Sequence, residues 1–165
     1  MSGTYIPREN ILSLLSAGPE RIAVLMTGLS EVKLHLAPAK GEWSAIEVLA
    51  HLRSCADVWG GCIAEILATD HPTLRAVNPV TWARRTGYHS LDFGLSLQVY
   101  SEQRVHLVEL LHRLNEADWL RSATVVGAGK PLERDVHFYA QWLAKHERSH
   151  YKQFRQIANF VRKQA

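Results

Sequence analysis

The sequence predicts an all-α fold, a four-helix bundle, and three observations carry that prediction. Four long regions place apolar residues at three- and four-residue steps, the spacing that lines one face of a helix. One of them opens with a capping box, Ser44 followed three residues later by Glu47. The connections between the regions are short to moderate, so the helices bury their apolar stripes against one another.

The first region runs from about Arg8 to Leu36 and is expected to break near Gly18-Pro19, where Pro19 can open a new helix. Ile22, Leu25, Met26, Leu29 and Val32 then recur at helical steps. After the turn Pro38 to Gly41, the Ser44 box starts a second helix that should reach about Thr69. Asp70 to Ser90 reads as a loop, long for a compact domain, with a helical turn around Thr81 to Arg84 and the character of a lid or site wall. A third helix spans about Leu91 to Leu114, its inner face traced by Leu97, Tyr100, Arg104, Leu107, Val108 and Leu111. Asn115 to Asp118 is a turn, and Ala123 to Val126 a short strand or an extended loop. The fourth helix is expected from about Leu132 to Gln164.

A chain of 165 residues, 47% apolar and 21% charged, fits one soluble domain over 1–165 with a real core. No apolar stretch is long enough for a membrane span, and Met1 to Glu9 lack the pattern of a secretory signal, so a cytoplasmic address is expected. The formal charge of +3 is spread along the chain, with knots only at Arg84-Arg85 and Arg162-Lys163, which argues against a nucleic-acid partner. Cys55 and Cys62 fall on one helix about 10.5 Å apart, too far for a disulfide, and read as reduced thiols.

The histidines carry the functional argument. His146 and His150 are four residues apart in the last helix, so both imidazoles leave the same face. That face is the apolar stripe Val136, Tyr139, Leu143, Phe154, Ile157 and Val161. A shared ion satisfies two such rings, and so do backbone or water partners, so the pair alone leaves both readings open. His51 tips the balance. It interrupts the stripe Val48, Cys55, Val58 and Cys62 on the second helix, and bundle cores build metal sites from side chains on facing helices. His51, His146 and His150 are therefore the expected metal ligands. Cys55, one turn beyond His51, reads as a small buried thiol in preference to a fourth ligand. His35, His71, His89, His106, His112 and His137 read as surface or structural.

Read literally, His146-Glu147-x-x-His150 is a metalloprotease signature with Glu147 as general base. None of the residues after His150 is a His, Asp, Glu or Cys, so a downstream third ligand is missing. A bundle also offers no evident edge strand for an extended peptide. Glu147 itself is turned about 100° from His146, toward a groove or solvent. A catalytic role for Glu147 stays as an expectation. Trp43, Trp59, Trp82, Tyr88, Tyr139 and Trp142 read as core first and pocket walls second, and Arg84 and Arg85 as an exposed pair before an anchor for an acidic substrate.

Trp43-Ser44-x-x-Glu47-x-x-x-His51-Leu52, followed much later by His146-x-x-x-His150-x-x-Gln153, resembles the DinB-like superfamily of four-helix proteins, nearly end to end. The resemblance implies a bundle of the DinB-like type with one ligand from the second helix and two from the last. It implies a divalent ion, most often zinc or nickel, with open positions holding water. It also implies an activity among thiol-dependent S-transferases and isomerases that use low-molecular-weight thiols such as bacillithiol or mycothiol, or among metal-dependent hydrolases, and it implies a homodimer. The expected function is thus a metal-dependent transferase or hydrolase acting on a small molecule. The competing expectation is a non-catalytic binding module that the metal only stabilises.

Overall fold

The computed structural model describes residues 5–164, so the amino-terminal reading over residues 1–4 and the last residue of the expected domain lie outside it. In chain order the elements are α1 (Arg8–Met26), α2 (Glu31–Leu34), α3 (Ala45–Ala68), β1 (Thr73–Arg75), α4 (Pro79–Thr86), a 3-10 turn (Tyr88–Ser90), α5 (Phe93–His112), α6 (Glu116–Trp119), β2 (Ser122–Val126), β3 (Leu132–Asp135) and α7 (Val136–Arg162). The four long helices α1, α3, α5 and α7 form the bundle. Among the described residues no helix is long and apolar enough to cross a membrane.

Packing order departs from chain order. Helix α1 packs on α5 and α7, and α3 packs on the same two, so α1 and α3 face each other across a diagonal, as do α5 and α7. Segments 27–44 and 113–135 are the diagonal crossings, which is why they need more chain than a tight turn. The second crossing carries α6, β2 and most of the small sheet. Strand β2 pairs parallel to β1 and antiparallel to β3.

Helix α1 does not break at Pro19. Pro19 and Gly18 are both buried inside one continuous helix, and the helix stops at Met26, short of Leu36. The reason is visible at Gly18: a Cβ there would meet the Tyr151 hydroxyl of α7 and come within 3.1 Å of Glu147 Oε2. The bare glycine lets α7 press against α1, and that tertiary contact outweighs the lost proline hydrogen bond. Val32, expected on the buried stripe, is 74% exposed on α2.

Three further expectations are corrected. The 70–90 segment is mostly ordered structure, with α4 capped by the Asn78 side chain, begun by Pro79 and ended by Gly87 at φ 69°. Leu132–Asp135 is a strand, so α7 begins only at Val136, with Asp135 Oδ1 accepting from the Phe138 amide at 2.6 Å. The molecule therefore does have a small sheet, contrary to the expected lack of an edge strand.

Candidate metal centre

Each histidine reaches the centre for a local reason. The capping box fixes the start of α3, with Glu47 accepting from the Ser44 amide at 2.8 Å and from its hydroxyl at 3.0 Å. Two turns on, His51 lies on the face that α3 turns toward α7 and is only 8% exposed. Helix α7 delivers His146 and His150 from its own inner face, both half-buried.

The three rings converge. His146 Nε2 lies 3.2 Å from His51 Nε2 and 3.2 Å from His150 Nε2, and the His51 and His150 ring centroids are 5.1 Å apart. Burial lowers all three pKa values. His51 falls to about 4, with the nearby His150 adding to the effect, and His146 to about 3, with His150, His51 and Arg104 contributing in that order. For His150 burial also dominates, opposed by the hydrogen bond to Gln153. At neutral pH all three rings are uncharged, so each has one ring N–H and one lone pair.

That proton count decides what the cluster can do. His150 Nδ1 donates to Gln153 Oε1 at 2.8 Å, which leaves its Nε2 as a lone pair aimed at His146. A single proton on His146 Nε2 serves one of its two short contacts and leaves the other without a hydrogen bond. A divalent cation resolves the conflict. Bound tetrahedrally at about 2.0–2.1 Å, it holds ligand nitrogens about 3.3 Å apart. The two separations from His146 Nε2 fit that spacing. His146 Nδ1, buried and without a hydrogen-bond partner, lacks the outer support that Gln153 gives His150.

Around the rings, Trp43 lies 5.0 Å from His51 and stacks at 6.3 Å over His150, while Trp59 meets His146 edge-on at 5.2 Å. These two are the aromatic walls. The other four aromatics singled out in the sequence lie elsewhere: Trp82 and Tyr88 hydrogen-bond Asp57 at 2.9 and 2.8 Å, Tyr139 is core, and Trp142 is 46% exposed. A cavity of about 110 Å³ opens beside His51, bounded by Trp43, Glu47, Val80, Ala83, Arg84 and His89. Arg84 thus borders the mouth of the centre. So does His89, which the sequence left as a loop residue because nothing local links it to His51.

Cys55 lies under the rings, fully buried, with Sγ 3.6 Å from His51 Nε2. Burial pushes its thiol pKa well up, so the sulfur keeps its proton in the absence of an ion. His51, Cys55 and His146 each offer a donor atom within 4.8 Å of the other two, a set able to hold a metal ion; His150 is outside that set and joins it through its 3.2 Å contact with His146.

Glu147 does not join the imidazoles. It is 1% exposed, faces neither a groove nor solvent, and takes Arg104 Nε on Oε1 at 2.6 Å and the Tyr151 hydroxyl on Oε2 at 3.2 Å. Arg104, itself 2% exposed, was legible as an inner-face residue of α5, but its pairing across the diagonal was not.

Four helices in this diagonal order, with three neutral imidazoles meeting between two of them, define a class: a helical bundle with a candidate metal centre in its core. The chain belongs to the DinB superfamily, whose family model matches residues 14–154. Its fold is similar to that of YfiT from Bacillus subtilis, described as a probable metal-dependent hydrolase with an unusual four-helix bundle topology. The TM-score is 0.81 at 15% sequence identity, covering 96% of this chain and 94% of that one. At that identity the likeness establishes the fold. No protein of curated function matches the chain.

Proposed function

We propose that this protein is a divalent-metal-dependent enzyme, with His51, His146 and His150 as the ligands and a small molecule as substrate. The observation that carries the reading is the pair of 3.2 Å Nε2 contacts among neutral rings, which protons alone leave partly unsatisfied. The description of YfiT as a probable metal-dependent hydrolase supports the same class. A bound divalent ion supplies a nucleophile at neutral pH, by lowering the pKa of water from 15.7 to about 7 or by taking a thiol as thiolate. Zinc and nickel both suit three imidazoles.

The chain's own residues do the rest. His150, oriented by Gln153, presents its lone pair in one direction only. Trp43 and Trp59 exclude water from two sides of the rings, and the dry surroundings strengthen any charge interaction there. Arg84, exposed at the mouth, offers a guanidinium to an acidic group of the incoming substrate or thiol. Two reactions share this chemistry: S-transfer from a low-molecular-weight thiol to an electrophile, and hydrolysis. Glu147 is left out of both, because its carboxylate is held by Arg104 and Tyr151.

The test is metal-free protein reloaded with zinc or nickel and assayed against a panel of small thiols with electrophiles, and of esters and amides without them. Turnover is expected only with metal. It should fall to background in His51→Ala, His146→Ala and His150→Ala, each retaining wild-type helical circular dichroism. Turnover that survives a chelator, or that none of the three substitutions reduces, overturns the proposal.

A further inference from the structure

We infer that Cys55 is a fourth metal ligand, so that the resting centre is a His3Cys site closed from within the core. The inference rests on the three-histidine reading above and adds one donor to it. Cys55 follows His51 by four residues on α3, so both side chains leave the same face of one rigid helix. Its Sγ lies 3.6 Å from His51 Nε2. A tetrahedral ion with a thiolate at about 2.3 Å and an imidazole at about 2.0–2.1 Å sets those donor atoms about 3.6 Å apart. The second nitrogen, from His146 on α7, lies with the sulfur inside the same 4.8 Å cluster. Both helices therefore contribute to one compact donor set. Cys62 has no part in that cluster among the described residues, whereas His150, also outside it, reaches the centre through its 3.2 Å contact with His146.

Ligation exchanges a proton for a metal–sulfur bond: the thiol loses H⁺ to solvent and its sulfur donates a pair to the cation. Two consequences follow for the proposed chemistry. A thiolate selects zinc or cobalt over magnesium or manganese, which prefer oxygen. A tetrahedral ion with four protein donors has no vacant position, so a substrate or small thiol must displace Cys55 or raise the coordination number to five. Cys55 would then hold the position that an external thiol takes during turnover.

Cobalt substitution reads this directly, because a cobalt–thiolate bond gives an intense near-ultraviolet charge-transfer band that imidazole ligands do not. Metal-free protein titrated with cobalt should show the band at one equivalent. It should persist in Cys62→Ser and disappear in Cys55→Ser and Cys55→Ala, with cobalt still bound. Wild-type loading should also release one proton more than Cys55→Ser loading. Cobalt bound without the band in the wild type, or a band that survives both Cys55 substitutions, overturns the inference and leaves the three histidines standing. Failure of the wild type to bind cobalt removes both readings. If the Cys55 variants do not fold, the wild-type and Cys62→Ser spectra still decide whether a thiolate is bound and which one.

Discussion

His146 and Glu147 are neighbours in sequence and work in different surroundings. The imidazole meets two other rings, while the carboxylate one residue later crosses the bundle diagonal to Arg104. Both partners of that pair are almost fully buried, and removing one partner of such a pair typically costs about 3–5 kcal/mol because the other charge is left unpaired. Glu147→Ala is therefore expected to lower the unfolding free energy of the metal-free protein, read from urea denaturation, by an amount in that range. Glu147→Gln, which keeps an acceptor for Arg104 Nε, should cost less. A Glu147→Ala protein with wild-type stability but no activity would instead return the residue to the catalytic role first read from its motif. Residue spacing made the imidazole face legible, since four residues nearly complete a helical turn. It said nothing of where an intervening side chain would find its partner, because that partner, Arg104, lies forty-three residues away.

At the scale of elements, the segment over the mouth is positioned by one side chain of α3. Asp57 accepts from Trp82 Nε1 at 2.9 Å, the Tyr88 hydroxyl at 2.8 Å and Gln103 Nε2 at 2.6 Å, tying α4, the 3-10 turn and α5 to α3. Arg53, one turn before Asp57, lies 4.0 Å from the Tyr88 ring centroid and strengthens the same seam. Hydrogen bonds to a charged group are worth about 1.5–3 kcal/mol each. Asp57→Ala should accordingly speed hydrogen exchange of the α4 amides by at least about tenfold, while those of α1 and the middle of α7 stay protected. Unchanged α4 protection would mean that packing of Val80 and Ala83, not Asp57, holds the segment down. The long helices were legible element by element from their apolar periods. Helix α4 was visible only as a turn, since its own residues bury little and its order comes from Asn78, Gly87 and contacts with Asp57. The start of α7 was misplaced for a related reason: Leu132–Asp135 carries no clear strand alternation, and pairing with β2 decides it.

For the whole molecule, the diagonal arrangement explains why the site is built as it is. Helices α3 and α7 are neighbours in space though far apart in sequence, so their inner faces can supply one cluster, and α1 must pass Gly18 under Tyr151 to let α7 approach. The bundle class was readable from four amphipathic stretches. The packing order was not, because the lengths of segments 27–44 and 113–135 permit adjacent or diagonal crossings alike. The DinB superfamily model spans residues 14–154, which include His51, His146 and His150, and the fold is similar to that of YfiT. The account rests on one ion shared by imidazoles from two helices. X-ray absorption at the metal edge, on protein loaded with one equivalent of zinc, tests that directly. Three nitrogen scatterers at about 2.0–2.1 Å are predicted, with one lost in His51→Ala and one in His150→Ala. Zinc that does not bind stoichiometrically, or a spectrum that His51→Ala leaves unchanged, would contradict it.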